Sequence, residues 1–185
     1  MTKIFLLKLT DYGDWPYCGG VLMTDNLVLT TGYCCSQVNK DILKVVAGEH
    51  DLNAEEGTEQ EALISELIIH PDFDPLSFEN DICLLKLDRN LNLNDAVGVI
   101  RAASSGDTFT GQAVVSGWGV LEDGGLFPDE LRSVSVTLRS DEDCRGSYGA
   151  NAIKESMLCA GDDGKDSCQG CQINTLNQRS TLISV

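Results

Sequence analysis

Eight cysteines in a chain of 185 residues constrain what this polypeptide can fold into more than any other feature. In a reducing compartment most of them would be liabilities, so their number points to an oxidising, secreted history and a disulfide-stapled fold. Apolar residues make up 42% and charged residues 23%, ordinary values for a globular chain. The length suits one large domain or two small ones packed together. Lys and Arg number 13 against 29 Asp and Glu, a formal net charge of -16. Such a surface repels phosphate backbones and anionic head groups, which argues against nucleic-acid and membrane-surface partners; as a property of the whole surface it reads first as solubility. Met1 to Leu9 (MTKIFLLKL) does not read as a secretory signal, because Lys8 interrupts its short apolar run. No other run approaches membrane-spanning length. The cysteines and the amino terminus thus disagree, and the expectation is a missing start.

The apolar stretches are short, rich in Val, Ile, Leu and Thr, and divided by Gly, Asn and Asp clusters. Strands are expected at Ile4–Leu9, Gly20–Met23, Leu27–Thr31, Leu43–Ala47, Ala62–Ile69, Ile82–Leu87, Ala113–Gly117 and Val134–Leu138. That pattern predicts an all-β barrel or sandwich. One short helix is expected after Ser140, where an N-capping serine precedes Asp141, Glu142 and Asp143 and places acids on the first turn. Residues 90–110 lack periodicity and read as the connection between two sub-domains. From Cys171 to Val185 the chain reads as a short, divergent polar tail.

Four segments, in order, carry a resemblance. Cys18-Gly19-Gly20 is followed by Leu27-Val28-Leu29-Thr30-Thr31-Gly32-Tyr33-Cys34, similar to CGG…VLTAAHC. Gly48-Glu49-His50-Asp51 through Glu59-Gln60 looks like a calcium loop, and Asn80-Asp81-Ile82-Cys83-Leu84-Leu85-Lys86-Leu87 is similar to NDIALLKL. Ser116-Gly117-Trp118-Gly119 precedes Met157-Leu158-Cys159-Ala160-Gly161 and Asp166-Ser167-Cys168-Gln169-Gly170. Together they resemble the chymotrypsin/trypsin-like serine protease family over about residues 5–170. The resemblance implies an all-β fold of two packed antiparallel β-barrels with a cleft between them. A domain over residues 1–170, incomplete at both ends and with its second barrel truncated, would precede the tail 171–185.

The family's chemistry needs a histidine to take the serine proton, a buried aspartate to hold the imidazole, and backbone N–H groups to receive the oxyanion. Carried over by the motifs, the aspartate is retained as Asp81, but Tyr33 stands in the histidine slot. A phenol ordinarily titrates near ~10 and is a poor proton acceptor at neutral pH. Gly170 falls at the oxyanion-hole position, Cys171 in the aspartate slot and Gln172 in the serine slot, and a carboxamide has no nucleophilic hydroxyl. No freed Ile-Val-Gly-Gly terminus of the kind that forms the oxyanion hole in this family is expected. Asp166 matches the pocket-floor aspartate that selects Arg and Lys, left as a relic without the opposite wall. The only histidines, His50 and His70, lie beside the acidic loop and at a strand end, and read as structural.

By resemblance, Cys18 pairs with Cys34 and Cys144 with Cys159. Cys35 and Cys83 occupy positions that converge in the family's cleft, so a third bridge is expected between them; the alternative is two small buried hydrophobes. Cys168 and Cys171 spell C-x-x-C, but no second Cys or His pair completes a zinc set, and both read as orphans. Structural calcium is implied at Glu49, Asp51, Ala54, Glu56 and Glu59, with side chains from the glutamates and backbone carbonyls from Asp51 and Ala54; the alternative is a solvated acidic turn. No catalytic cofactor is expected. The resulting expectation is a secreted, monomeric pseudoprotease that binds protein or peptide ligands. The alternative is a truncated or mis-spliced form of an active trypsin-like endopeptidase cleaving after Arg or Lys.

Overall fold

The computed structural model describes residues 3–10, 13–102, 104, 107–121, 125–162 and 181–184. Six strands close a first barrel: β1 (Lys3–Thr10), β2 (Gly13–Thr24), β3 (Leu27–Thr30), β4 (Leu43–Ala47), β5 (Gln60–Ile69) and β6 (Cys83–Leu87). Around the barrel they run β1-β2-β3-β6-β5-β4, and every pairing is antiparallel. The two-residue period of each strand decides what faces inward. Along β6, Cys83, Leu85 and Leu87 are buried while Lys86 is exposed; along β5, Ala62 and Ile64 point in and Leu63 points out. These residues join Ile4, Leu6, Leu22, Val28, Leu43 and Val45 in one continuous core. Gly20 lets β2 and β3 approach closely, since a Cβ there would sit 2.8 Å from the Leu29 carbonyl oxygen and 2.9 Å from Val28.

Between β6 and the next strand the described residues form no helix or strand. The second sheet is smaller, with four strands in the order β10-β9-β8-β7: β7 (Gln112–Gly117), β8 (Arg132–Arg139), β9 (Met157–Ala160) and β10 (Thr181–Ser184). Among the described residues there are two short helices, α1 (Gly32–Ser36) and α2 (Asp141–Tyr148), with a 3-10 turn at Lys40–Ile42. Helix α2 begins where its capping residues direct: Ser140 Oγ accepts from the Asp143 N–H at 3.1 Å and donates to the Asp143 carboxylate at 2.6 Å. Its inner face packs Cys144 with Ile153, Met157 and Cys159.

Three elements depart from the sequence reading. Strand β9 has all four residues buried, so no alternation betrays it. Strand β10 lies within the segment expected to be a polar tail, and it pairs with β9 in parallel, against the otherwise antiparallel order. Helix α1 spans five residues, too few to show a helical period.

A seam joins barrel and sheet. Trp118 is buried against Val46, with Leu52 and Leu131 beside it, and its indole N–H donates to the His50 carbonyl at 3.1 Å. The Leu131 N–H donates to the same carbonyl at 2.8 Å, and the Leu52 N–H to that of Asp129 at 3.0 Å. A second tie runs from the Asn80 N–H to Ser156 Oγ at 3.0 Å.

Candidate functional site

Strand β3 delivers the chain into α1, which Thr31 caps by accepting from the Cys34 N–H at 3.2 Å. Strand β6, the neighbour of β3, starts two residues after Asp81. The barrel closure therefore sets Tyr33 beside Asp81. Asp81 is 5% exposed, and its Oδ1 accepts from the Tyr33 backbone N–H at 2.7 Å, with the Gly32 N–H also directed at the carboxylate. Burial pushes the Asp81 carboxyl above the usual carboxylate range, and the Tyr33 and Gly32 amides pull it back in part. No Lys, Arg or His among the described residues forms an ion pair with it.

The Tyr33 ring points outward, 48% exposed, with the Phe78 ring against it edge-on at 5.7 Å between centroids. Phe78 and Asn80 both adopt a left-handed backbone, each with φ of 56°, which costs a non-glycine residue on the order of 1 kcal/mol or more. The loop over-determines that conformation. Asp74 accepts from the Leu76 N–H at 3.0 Å and the Ser77 hydroxyl at 2.6 Å, while its carbonyl accepts from the Phe78 N–H at 2.8 Å. Asn80 Nδ2 donates to the Asp72 carbonyl at 3.0 Å. Nothing in the residue types announced Phe78 as the neighbour of Tyr33. Behind Tyr33, the Tyr17 hydroxyl donates to the Cys34 carbonyl at 3.0 Å, and burial, followed by the nearby Tyr33, raises the Tyr17 phenol above its ordinary value.

The two histidines serve elsewhere. His70 Nδ1 accepts from the Asp72 N–H at 3.2 Å and so braces the loop, while the His50 carbonyl belongs to the seam. Three disulfides are present among the described residues: Cys18–Cys34, Cys35–Cys83 and Cys144–Cys159, with Cα separations of 6.4, 6.5 and 6.5 Å. Asp166, Cys168, Gly170, Cys171 and Gln172 lie outside the described residues.

In the acidic loop, the Glu59 carboxylate turns back to accept from the Glu56 N–H at 2.7 Å, and amides of this turn hold it below the usual range. Burial raises Glu49, the His50 N–H opposes that rise, and the charges of Glu59, Glu56 and Asp51 add to it. The Asp51 carbonyl accepts from the Ala54 N–H at 3.0 Å. Among the described residues no three His, Cys, Asp or Glu side chains converge as a metal-holding group.

Chain order, closed barrel and the Asp81 geometry can be set beside known proteins. Residues 7–170 match the family model described as Trypsin. The chain belongs to the trypsin family. It is 43% identical over 162 residues to Trypsin-1 of Astacus astacus, covering 85% of this chain and 68% of that protein. It is 36% identical over 158 residues to Trypsin-1 of Gadus morhua, covering 84% of this chain and 64% of that protein. The chain thus spans about two thirds of the length of these relatives. A solved structure described as "Structure of GrC" superposes with a TM-score of 0.81 at 28% identity, over 96% of this chain and 79% of that one. In this trypsin-family chain the aspartate of the NDI motif is buried and engaged, and a tyrosine occupies the position facing it.

Proposed function

We propose that this chain is a secreted trypsin-family pseudoprotease, monomeric, that binds protein or peptide ligands without cleaving them. The carrying observation is the Tyr33–Asp81 pair. Asp81 takes a backbone N–H from residue 33, while the side chain that should be a base is an outward-turned phenol. No imidazole is available there to accept a hydroxyl proton, and the sequence supplies Gln172 where the attacking alcohol belongs. Losing the histidine or the serine alone removes on the order of 10⁶ in turnover in comparable triads, and losing both adds little because they act as a unit. The three disulfides support an extracellular setting. The charge of -16 supports protein partners over nucleic acid or membrane surfaces.

The test is direct. The purified chain is incubated with Arg- and Lys-containing peptide substrates and with a serine-directed covalent probe. Neither turnover nor labelling is expected. Hydrolysis that scales with protein concentration and survives removal of contaminating proteases would overturn the reading.

A structural Ca²⁺ in the acidic loop belongs to the same proposal. The donors fit a hard cation in kind, all oxygens, and burial, with the charges of Glu59, Glu56 and Asp51 adding to it, raises Glu49 at a cost that a bound divalent charge would relieve. Glu49, Glu56 and Glu59 would supply side chains and the carbonyls of Asp51 and Ala54 the rest. The glutamates must converge to do so. Calorimetric titration with Ca²⁺ should give heat that Glu49→Gln abolishes, and a folded sample that gives none rejects the site.

A further inference from the structure

Helix α1 carries two adjacent half-cystines, Cys34 and Cys35, and they reach to different strands. Cys34 is bonded to Cys18 of β2, and Cys35 to Cys83 of β6. Since β2 and β6 are the two neighbours of β3 in the barrel, the helix that follows β3 is stapled to both of them. The two staples differ in exposure. Cys35 is 3% and Cys83 1% exposed, and both lie in the barrel core; Cys34 is 5% exposed, but its partner Cys18 is only half-buried. Both cysteines of the third bridge, Cys144 and Cys159, are buried as well.

Thiol–disulfide exchange requires a thiolate to approach one sulfur along the S–S axis, so its rate follows access to that sulfur. We infer that Cys18–Cys34 is the site at which a small thiol opens this barrel, and that Cys35–Cys83 is the lock that keeps Tyr33 on Asp81 when it does. The incoming thiolate attacks the Cys18 sulfur, forming a mixed disulfide and expelling Cys34 as a thiolate that takes up a proton. A second thiol molecule attacks its own kind in the mixed disulfide and releases the Cys18 thiol. Two thiols are oxidised to one small disulfide, and one protein disulfide is reduced to two cysteines. After this step the Tyr17–Cys34 hydrogen bond still ties α1 to β2. The Asp81–Tyr33 hydrogen bond and the buried bridge still hold α1 to β6.

The experiment treats the oxidised chain with reduced glutathione, quenches with iodoacetamide at intervals, and maps alkylation at the six bridged cysteines. Hydrogen exchange of the Tyr33 amide is followed on the same samples. Cys18 and Cys34 should become alkylated at least ~10-fold faster than Cys35, Cys83, Cys144 and Cys159. The Tyr33 amide of that species should keep its protection to within about threefold. A Cys18→Ala/Cys34→Ala variant should show the same retained protection. In Cys35→Ala/Cys83→Ala it should fall by roughly 100-fold, a loss of local opening free energy specific to this contact. Equal alkylation of all six, earlier alkylation of Cys35 and Cys83, or loss of Tyr33 protection once Cys18–Cys34 opens would each overturn the inference. Because the Cys18→Ala/Cys34→Ala measurement stands by itself, a failure of the other variant to fold leaves the inference refutable.

Discussion

Removing the Cys35–Cys83 bridge should cost more stability than removing either of the others, and loop lengths give the size of the difference. A disulfide restricts the unfolded chain in proportion to the logarithm of the loop that it closes. The separations are 48 residues for Cys35–Cys83, 16 for Cys18–Cys34 and 15 for Cys144–Cys159. Chain entropy then assigns about 4 kcal/mol to the first and about 3 kcal/mol to each of the other two. Replacing Cys35 and Cys83 by alanine also deletes two sulfurs from a packed core, and the void adds to the loss. The assay is urea unfolding of the oxidised chain, compared with Cys35→Ala/Cys83→Ala and Cys18→Ala/Cys34→Ala. The first variant should lose at least about 1 kcal/mol more than the second. Its dependence on urea should steepen, because the released denatured state exposes more surface. A loss smaller than that of the Cys18–Cys34 variant would refute the entropic reasoning.

Asp81→Asn should flatten the acid side of the stability profile. The folded carboxyl titrates above its unfolded value, so the folded state binds the extra proton, and this group's contribution improves as pH falls from the raised value towards 3.8. Thermal melts across that window should show the wild type gaining on the variant as pH drops; parallel curves would contradict the buried geometry. Ser140→Ala removes the α2 cap and should cost about 1 kcal/mol in urea unfolding, with Ser140→Gly costing only a few tenths. Gly48 has φ of +79°, and a Cβ there would press on the Thr58 carbonyl oxygen. Gly48→Ala should therefore destabilise by more than about 2 kcal/mol and distort the acidic loop, read out by unfolding and by tryptophan emission from Trp118 at the seam.

The first barrel was legible because its strands are short apolar runs, rich in Val, Ile and Leu, set off by Gly, Asn and Asp clusters, a local pattern that requires no tertiary knowledge to interpret. Its inward and outward faces were less so, since Leu84 stands beside Cys83 and Leu85 in β6 and four of the five residues of β4 are buried. Helix α2 was equally legible, since Ser140 and three acids in the first turn are local chemistry. Strand β9 escaped because burial on both faces erases the period, and α1 because a single turn has none. The left-handed Phe78 was illegible for another reason. Its conformation is imposed by Asp74, Ser77 and Asn80 acting together, and no residue type at 78 encodes it.

Asp81 separates what a motif records from what a residue does. The NDI motif suggests a catalytic aspartate, yet in this chain the carboxylate has structural work that does not depend on catalysis. It accepts the first amides of α1, where Tyr33 and Gly32 present N–H groups that the short helix cannot satisfy internally. An alanine there would strand those donors in a buried setting, a loss on the order of 1–3 kcal/mol whether or not a base stands opposite. Retention of the aspartate therefore follows from folding alone. Tyr33 shows why: its backbone N–H satisfies Asp81 whatever side chain residue 33 carries, so this part of the fold places no demand on the side chain at that position.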